Sequence, residues 1–361
     1  MKLISLPFLS SISAFFLLSA CQLTPSNETD VDAELPIELV DIASPVEINQ
    51  AILADPNVDV IHPIEDIEFT TNESALVTND IWQRIRANLT IDVPKDRRVE
   101  VQRNWFVKHP TYLDRVAKRA EPFLYYIVEE LEKNNIPLEI ALLPIVESAF
   151  DPFAYSHGRA SGMWQFVPET GKRFGMKQNW WYDGRRDVIA STQGAIKYLT
   201  YLHKFFDGDW LLALAAYNSG EGRVRRAVRN NARKNKPTDF WSLDLPKETR
   251  AYVPKLLALA DIVKRPEFFN IKLYEIENKE VISIVDIGSQ LDLAKAAKMS
   301  QLSLKELQRL NAGYNRWSTD PDGPHYLVIP NNKKAQFIAS LNKLSDEDRV
   351  AWQRYKIKSG D

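Results

Sequence analysis

A single cysteine, Cys21, stands in 361 residues. One thiol closes no intrachain disulfide, so no oxidative staple holds this fold. The five histidines, at 62, 109, 157, 203 and 325, lack the spacing of a ligand set, which leaves metal chemistry unsupported. No glycine-rich phosphate loop is present, and no cofactor is expected. Beyond the first twenty residues no apolar run reaches the roughly 18 residues that span a bilayer. Basic residues are absent from Gln22 to Asp80, a stretch that carries 14 acids. That leaves 34 acids against 45 bases from Ile81 onward, a formal charge near +11 hidden inside a chain average of −2. An acidic, poorly periodic leader joined to a basic body reads as a tether and a folded unit.

What is present at the N-terminus is a targeting pattern. Lys2 precedes an apolar segment, Leu6 to Leu18, too short to span. Leu18-Ser19-Ala20-Cys21 then looks like a bacterial lipobox, in which the cysteine is acylated and becomes the new N-terminus. A plain secretory signal with a chance cysteine is the alternative. Residues 1–20 are thus expected to be a lipoprotein signal peptide and 21–80 a tether. Gln22 after the cysteine resembles the sorting signal for the outer membrane, facing the periplasm. A monomer is expected. The basic body suits an anionic partner. In an exported protein, nucleic acid is a poor candidate and the carboxylate-bearing cell-wall polymer a good one. A merely solvated basic surface is the other reading.

Along the body the apolar period is helical. Asp80 is placed to cap a helix with Ile81, Trp82, Ile85 and Leu89 on its inner face. Helical spacing runs from Val99 to Lys133 and, past Asn134-Asn135, from Ile136-Pro137 to Ser148. Asp151 to Gly162 reads as a loop, Met163 to Phe174 as a short helix, and Asp187 to Phe206 as a long amphipathic helix. Further helices are expected over Asp209–Tyr217, from Glu221, and over Lys247–Val263. No strand is expected before residue 270. Beyond it, a strand within Tyr274–Ile287, helices at Leu291–Ala297 and Ser303–Leu310, and a closing strand at Tyr326–Pro330 give a βααβ order. The fold class is therefore mainly α: a multi-helix body over 81–268 with a small α+β subdomain over 270–345.

Three segments carry candidate chemistry. Glu147 closes the apolar run Ala141-Leu142-Leu143-Pro144-Ile145-Val146 and precedes Ser148. Desolvation, with the negative end of a helix dipole, would keep its carboxyl protonated near neutrality, as a general acid requires. From the segment alone, a surface glutamate at a helix end is the favoured reading. In Ser161-Gly162-Met163-Trp164-Gln165-Phe166, the glycine allows a close approach. Trp164 or Met163 offers an apolar face to a pyranose, and Gln165 a donor and acceptor. A helix start with buried aromatics is the bland alternative. In Ala215-Ala216-Tyr217-Asn218-Ser219-Gly220, Tyr217 and Asn218 leave a helix C-terminus, where an ordinary helix turn with an Asn cap would look the same.

Together and in this order, these segments resemble the lytic transglycosylases of glycoside hydrolase family 23, with their goose-lysozyme-like fold. The family pattern is a Glu-Ser pair, a Gly-Leu-Met-Gln-type loop, an Ala-Tyr-Asn-x-Gly turn and a late tyrosine. It is met by Glu147-Ser148, Gly162-Met163-Trp164-Gln165, Ala216-Tyr217-Asn218-Ser219-Gly220 and Tyr252 in Glu248-Thr249-Arg250-Ala251-Tyr252-Val253-Pro254. Met163-Trp164 and Tyr182-Asp183-Gly184-Arg185-Arg186-Asp187 look closest to the membrane-bound lytic murein transglycosylase D branch. The C-terminal βααβ order resembles a LysM-type wall-binding module, with its glycine-rich opening reduced to Asp286-Ile287-Gly288-Ser289; a structural subdomain packed on the helices is the alternative.

The resemblance implies Glu147 as the sole catalytic carboxylate. Ser148 and Tyr252 would orient it or the substrate, and Met163, Trp164, Gln165, Tyr217 and Asn218 would line the saccharide groove. The implied reaction cleaves the β-1,4 bond between N-acetylmuramic acid and N-acetylglucosamine and leaves a 1,6-anhydro end. No role transfers to Arg185, Arg186 or Asp187, which fit a salt bridge and a helix cap. Two rivals remain: a hydrolytic muramidase, with Asp183, Asp187 or Glu169 as the second carboxylate, and a non-catalytic wall-binding lipoprotein.

Overall fold

The computed structural model describes residues 79–350. The expectations for the signal segment, Cys21 and the acidic tether up to residue 78 lie outside those residues.

The body opens with α1 (Ile81–Ala87), α2 (Arg97–Lys108), α3 (Pro110–Ala120) and α4 (Leu124–Lys133). Asp80 caps α1, its carboxylate accepting from the Trp82 N–H at 3.2 Å, and Ile81, Trp82 and Ile85 turn inward. The helical pattern from Val99 to Lys133 is cut twice. Pro110 starts α3 because a helix's first turn is where proline is best tolerated, and Glu121–Phe123 turns the chain before α4.

A 3₁₀ turn, Leu138–Leu142, leads into α5 (Leu143–Ser148). After a long loop come α6 (Pro168–Arg173), α7 (Val188–Phe205), α8 (Trp210–Ser219), α9 (Glu221–Ala232) and α10 (Lys247–Lys264). The helix expected over Met163–Phe174 forms only from Pro168. Upstream of it Gly162 and Gln165 adopt left-handed φ values of 80° and 49°, which no α-helix accommodates. Isolated bridges Tyr155↔Ser161 and Ser161↔Phe166 pin that turn instead.

Helix α10 is the axis of the body. Every residue from Ala251 to Val263 is buried, so it packs on all sides, as an all-round apolar helix must. Its one buried acid, Asp261, is held by Arg103 of α2 and by Arg265. Ala213, Ala215 and Ala216 of α8 are fully buried, and their small side chains let α8 lie against α7 and α10.

Past residue 270 a two-stranded antiparallel sheet pairs β1 (Ile282–Asp286) with β2 (Tyr326–Pro330), in the register Ile284↔Val328. Between them lie α11 (Leu293–Met299) and α12 (Leu304–Leu310), and α13 (Asn331–Leu341) follows. Helix α13 was not expected from the sequence pattern. It buries only Phe337 and Leu341, too few positions for an apolar period to stand out. This βααβ unit is seated on the body. Ile282, Leu310 and Val328 join the core of the helices, while Tyr182 of the body joins the unit's own core. Asp183 N–H donates to Gly313 C=O at 2.8 Å, and Lys177 pairs with the buried Asp320 at 2.9 Å.

Candidate active site

Helix α5 delivers Glu147 and stops at once. Ala149 and Phe150 both take left-handed φ, 52° and 57°. Two consecutive non-glycine residues in that region cost about 1–2 kcal/mol each, and such strain concentrates where geometry serves function. The Phe150 N–H returns to the Pro144 carbonyl at 3.1 Å, so the helix end is closed and Glu147 sits on its last turn.

Hydrogen bonds join the four sequence motifs into a closed ring. The Ser148 hydroxyl donates to the Met163 carbonyl at 2.9 Å. The neighbouring Trp164 carbonyl accepts from the Tyr217 hydroxyl at 2.8 Å. Asn218, next along α8, donates to Glu248 at 3.4 Å and accepts from the Thr249 hydroxyl at 2.8 Å. One turn further along α10, the buried Tyr252 hydroxyl donates to Glu147 Oε1. Segments more than a hundred residues apart in sequence thus meet at one carboxyl.

Burial pushes the Glu147 carboxyl up to about 8, and the Glu248 carboxylate adds to the rise; the Tyr252 hydroxyl and the Lys255 ammonium oppose it. Lys255 is itself fully buried, and burial lowers it to about 8 against the pull of Glu147. Burial, then the Glu147 charge, raises the hydroxyls of Tyr217 and Tyr252 well above the ordinary tyrosine value, so both are donors at neutral pH.

The residues singled out for the saccharide site lie on these joined segments, but not all face outward. Trp164 is completely enclosed, its indole donating to the Thr192 hydroxyl at 3.2 Å, and the Met163 side chain is almost as deeply buried. Neither side chain offers the pyranose platform expected of it. They pack the floor under the loop and leave its backbone at the site. Gly162 is needed for a reason internal to the protein: a Cβ there would stand 1.9 Å from the Arg185 carbonyl oxygen. Gln165 donates to the Gly162 carbonyl at 2.8 Å and locks the same turn. Ser148 is buried and spent on Met163. Tyr217, whose hydroxyl feels the Glu147 charge, and Asn218, bonded to Glu248 and Thr249, remain half-exposed.

Arg185 is held by Asp183 at 2.7 Å and donates to the Arg159 carbonyl; Asp187 caps α7 through the Ala190 N–H at 2.8 Å. These are structural uses. The sequence reading passed over Glu248, Thr249 and Lys255. Their signal was the spacing: Glu248, Tyr252 and Lys255 fall at i, i+4 and i+7, one face of α10.

Comparison with known proteins points to one family. Residues 125–240 match the family described as the transglycosylase SLT domain, and residues 282–346 match the LysM-like domain of lytic transglycosylase MltD. Membrane-bound lytic murein transglycosylase D of Escherichia coli is 41% identical over 292 residues, covering 78% of this chain and 65% of that protein. The chain therefore spans just under two thirds of that relative's length. A protein named for tributyltin chloride resistance, from Alteromonas sp. (strain M-1), is 41% identical over 200 residues, covering 54% of this chain and 95% of that one. Membrane-bound lytic murein transglycosylase C of Haemophilus influenzae is 30% identical over 139 residues, covering 35% of this chain and 39% of its own. With the same ordered motifs closed into one site, and a LysM-like unit behind them, the chain belongs to the lytic transglycosylase family that carries the SLT domain.

Proposed function

We propose that this protein is a peptidoglycan lytic transglycosylase, cleaving between N-acetylmuramic acid and N-acetylglucosamine. The observation that carries the reading is Glu147: a carboxyl pushed up to about 8, on the last turn of an apolar helix, with one buried tyrosine donating to it. At neutral pH it is mostly the acid and can protonate the glycosidic oxygen as the bond breaks. Asn218, oriented by Thr249, stands by the charge that develops on the muramic ring. Glu147, now a carboxylate, takes the proton of the ring's own C6 hydroxyl as that oxygen closes on C1. An acceptor already tethered to the substrate has lost its entropy beforehand and outruns water.

Ordinary glycosidases need a second carboxylate. Asp183 is committed to Arg185, and Asp187 caps α7 in a buried site. Glu248 is the carboxylate whose charge reaches Glu147, and it gives the muramidase reading its one foothold. Mass spectrometry of muropeptides released from purified peptidoglycan separates the two. Products lighter by one water than the hydrolytic ones, and refractory to borohydride, are expected. Reducible ends that vanish in Glu248→Gln would make it a muramidase. Glu147→Gln should lose roughly 10²–10⁴-fold in rate while staying folded; near-normal turnover would sink the assignment.

Acylation of Cys21 would anchor a monomer at the outer membrane, with residues 21–80 as tether, 81–268 as catalytic body and 270–345 resting on it. No helix among the described residues is long and apolar enough to cross a membrane. The relatives' names support the anchoring, since two of those above are called membrane-bound. Loss of radiolabelled palmitate incorporation in Cys21→Ser tests it.

A further inference from the structure

The loop between α6 and α7 meets the segment between α12 and β2 in a group of aromatics that the Glu147 site does not use. Trp180 is 57% exposed and Trp317 43% exposed, although exposed tryptophans are uncommon on a surface with no partner. Trp181 lies between them. Its ring meets Trp180 edge-on at 4.6 Å and Trp317 at 6.1 Å. The Arg316 guanidinium stacks 3.9 Å from the Trp180 ring centre and donates to the Trp180 carbonyl at 3.2 Å. The backbone fixes the group: Asn315 N–H donates to Trp181 C=O at 2.8 Å, and the Asn315 amide donates to Asn179 C=O at 3.3 Å.

We propose that Trp180, Trp181 and Trp317, with Arg316, form a second saccharide-binding surface that holds a peptidoglycan strand away from the bond being cut. This rests on the reading of the substrate given above. The chemistry selects the occupant. A pyranose has an apolar C–H face and a polar rim, and rigid indole faces bordered by amide and guanidinium donors complement both. The guanidinium, already stacked and preorganised, would meet the carboxylates that muramic acid and its peptide stems carry. A lipid surface would call for one continuous apolar patch, whereas Asn179, Asn315 and Arg316 interleave polar groups here. The surface exists only because the βααβ unit is seated on the body: two of its indoles come from one side of that seam and one from the other. It is therefore held at a fixed distance from Glu147, as suits a polymer that continues beyond the cleavage point.

The test is co-sedimentation of the full chain with purified peptidoglycan sacculi in a Glu147→Gln background, which prevents turnover. Trp180→Ala with Trp317→Ala should weaken retention about tenfold, the scale for truncating tryptophans at a recognition surface. Trp180→Phe with Trp317→Phe should retain most of it. Thermal unfolding of each variant checks the fold, and if the double alanine variant fails to fold, the two single alanine variants are read in the same way. Unchanged retention in the alanine variants, or equal loss with alanine and phenylalanine, would overturn the proposal. Muropeptide release by the unaltered chain is measured alongside. Tryptophan-dependent retention without any release would strike the Glu147 reading and leave this surface standing; release with tryptophan-independent retention would do the reverse.

Discussion

Replacing Tyr252 with phenylalanine deletes one oxygen from a fully buried ring and leaves the packing of α10 intact. That oxygen carries the hydroxyl that donates to Glu147. A hydrogen bond to a charged group is worth about 1.5–3 kcal/mol, and it stabilises the carboxylate more than the acid. At 1.36 kcal/mol per pH unit, its loss moves the proton affinity of Glu147 up by about one to two units. A general acid works while protonated, so kcat/KM falls as pH climbs through the free enzyme's pKa. The alkaline limb of the native profile is expected near 8, the value to which Glu147 is pushed, and that of Tyr252→Phe about one to two units higher. The assay is kcat/KM on soluble glycan fragments across the range at constant ionic strength, so that screening does not drift with pH. A limb that stays in place, or moves to lower pH, would refute the idea that this bond tunes the acid. Lys255 also titrates near 8, and a limb that disappears altogether in Lys255→Met would assign the native limb to the lysine.

Further outcomes follow from the same geometry. Where the limb belongs to Glu147, Lys255→Met should move it upward too, because a cation beside a carboxyl favours its charged form; activity against pH checks this. Glu147 is raised from an ordinary value near 4.5 to about 8, so the folded chain keeps a proton that the unfolded chain releases. The Glu147 contribution to stability then declines as pH rises from about 4.5 to about 8, and Glu147→Gln should melt above the native chain at pH 8 but not below pH 4 in scanning calorimetry. Gly162 and Gly220 share a left-handed backbone, φ 80° and 86°, but not their surroundings. Gly220→Ala meets open space, but its φ of 86° with ψ 139° lies outside the left-handed helical well, so it should cost backbone strain alone, about 1–3 kcal/mol. Gly162→Ala drives a methyl into the Arg185 carbonyl and should displace the 162–165 turn, with loss of turnover as well as of Tm.

The helices were legible wherever a local period carries them. Ile81, Trp82 and Ile85 mark one face and do turn inward, and Tyr326–Pro330 forms a strand over the span expected. The order of Glu147-Ser148, Gly162 to Gln165, Tyr217-Asn218 and Tyr252 was visible too, because each motif is short and contiguous. What was not legible depends on contacts across long separations. Trp164 reads as a sugar platform in one dimension, and Thr192 of α7 shows it to be core. Gly162 reads as room for a ligand, and Arg185 fills that room. Lys255 looks like any lysine of an amphipathic helix until α10 is seen to be buried on every side.

The sequence by itself therefore determined which chain segments are helical and which residues are chemically able to act, since propensity, capping and periodicity are local properties. Only the tertiary structure decided that Glu147 is an acid at neutral pH. Its proton affinity is set by the burial of α5 and by Tyr252, Glu248 and Lys255 on α10, roughly a hundred residues away; the apolar run before Glu147 suggested desolvation but fitted an exposed helix end as well.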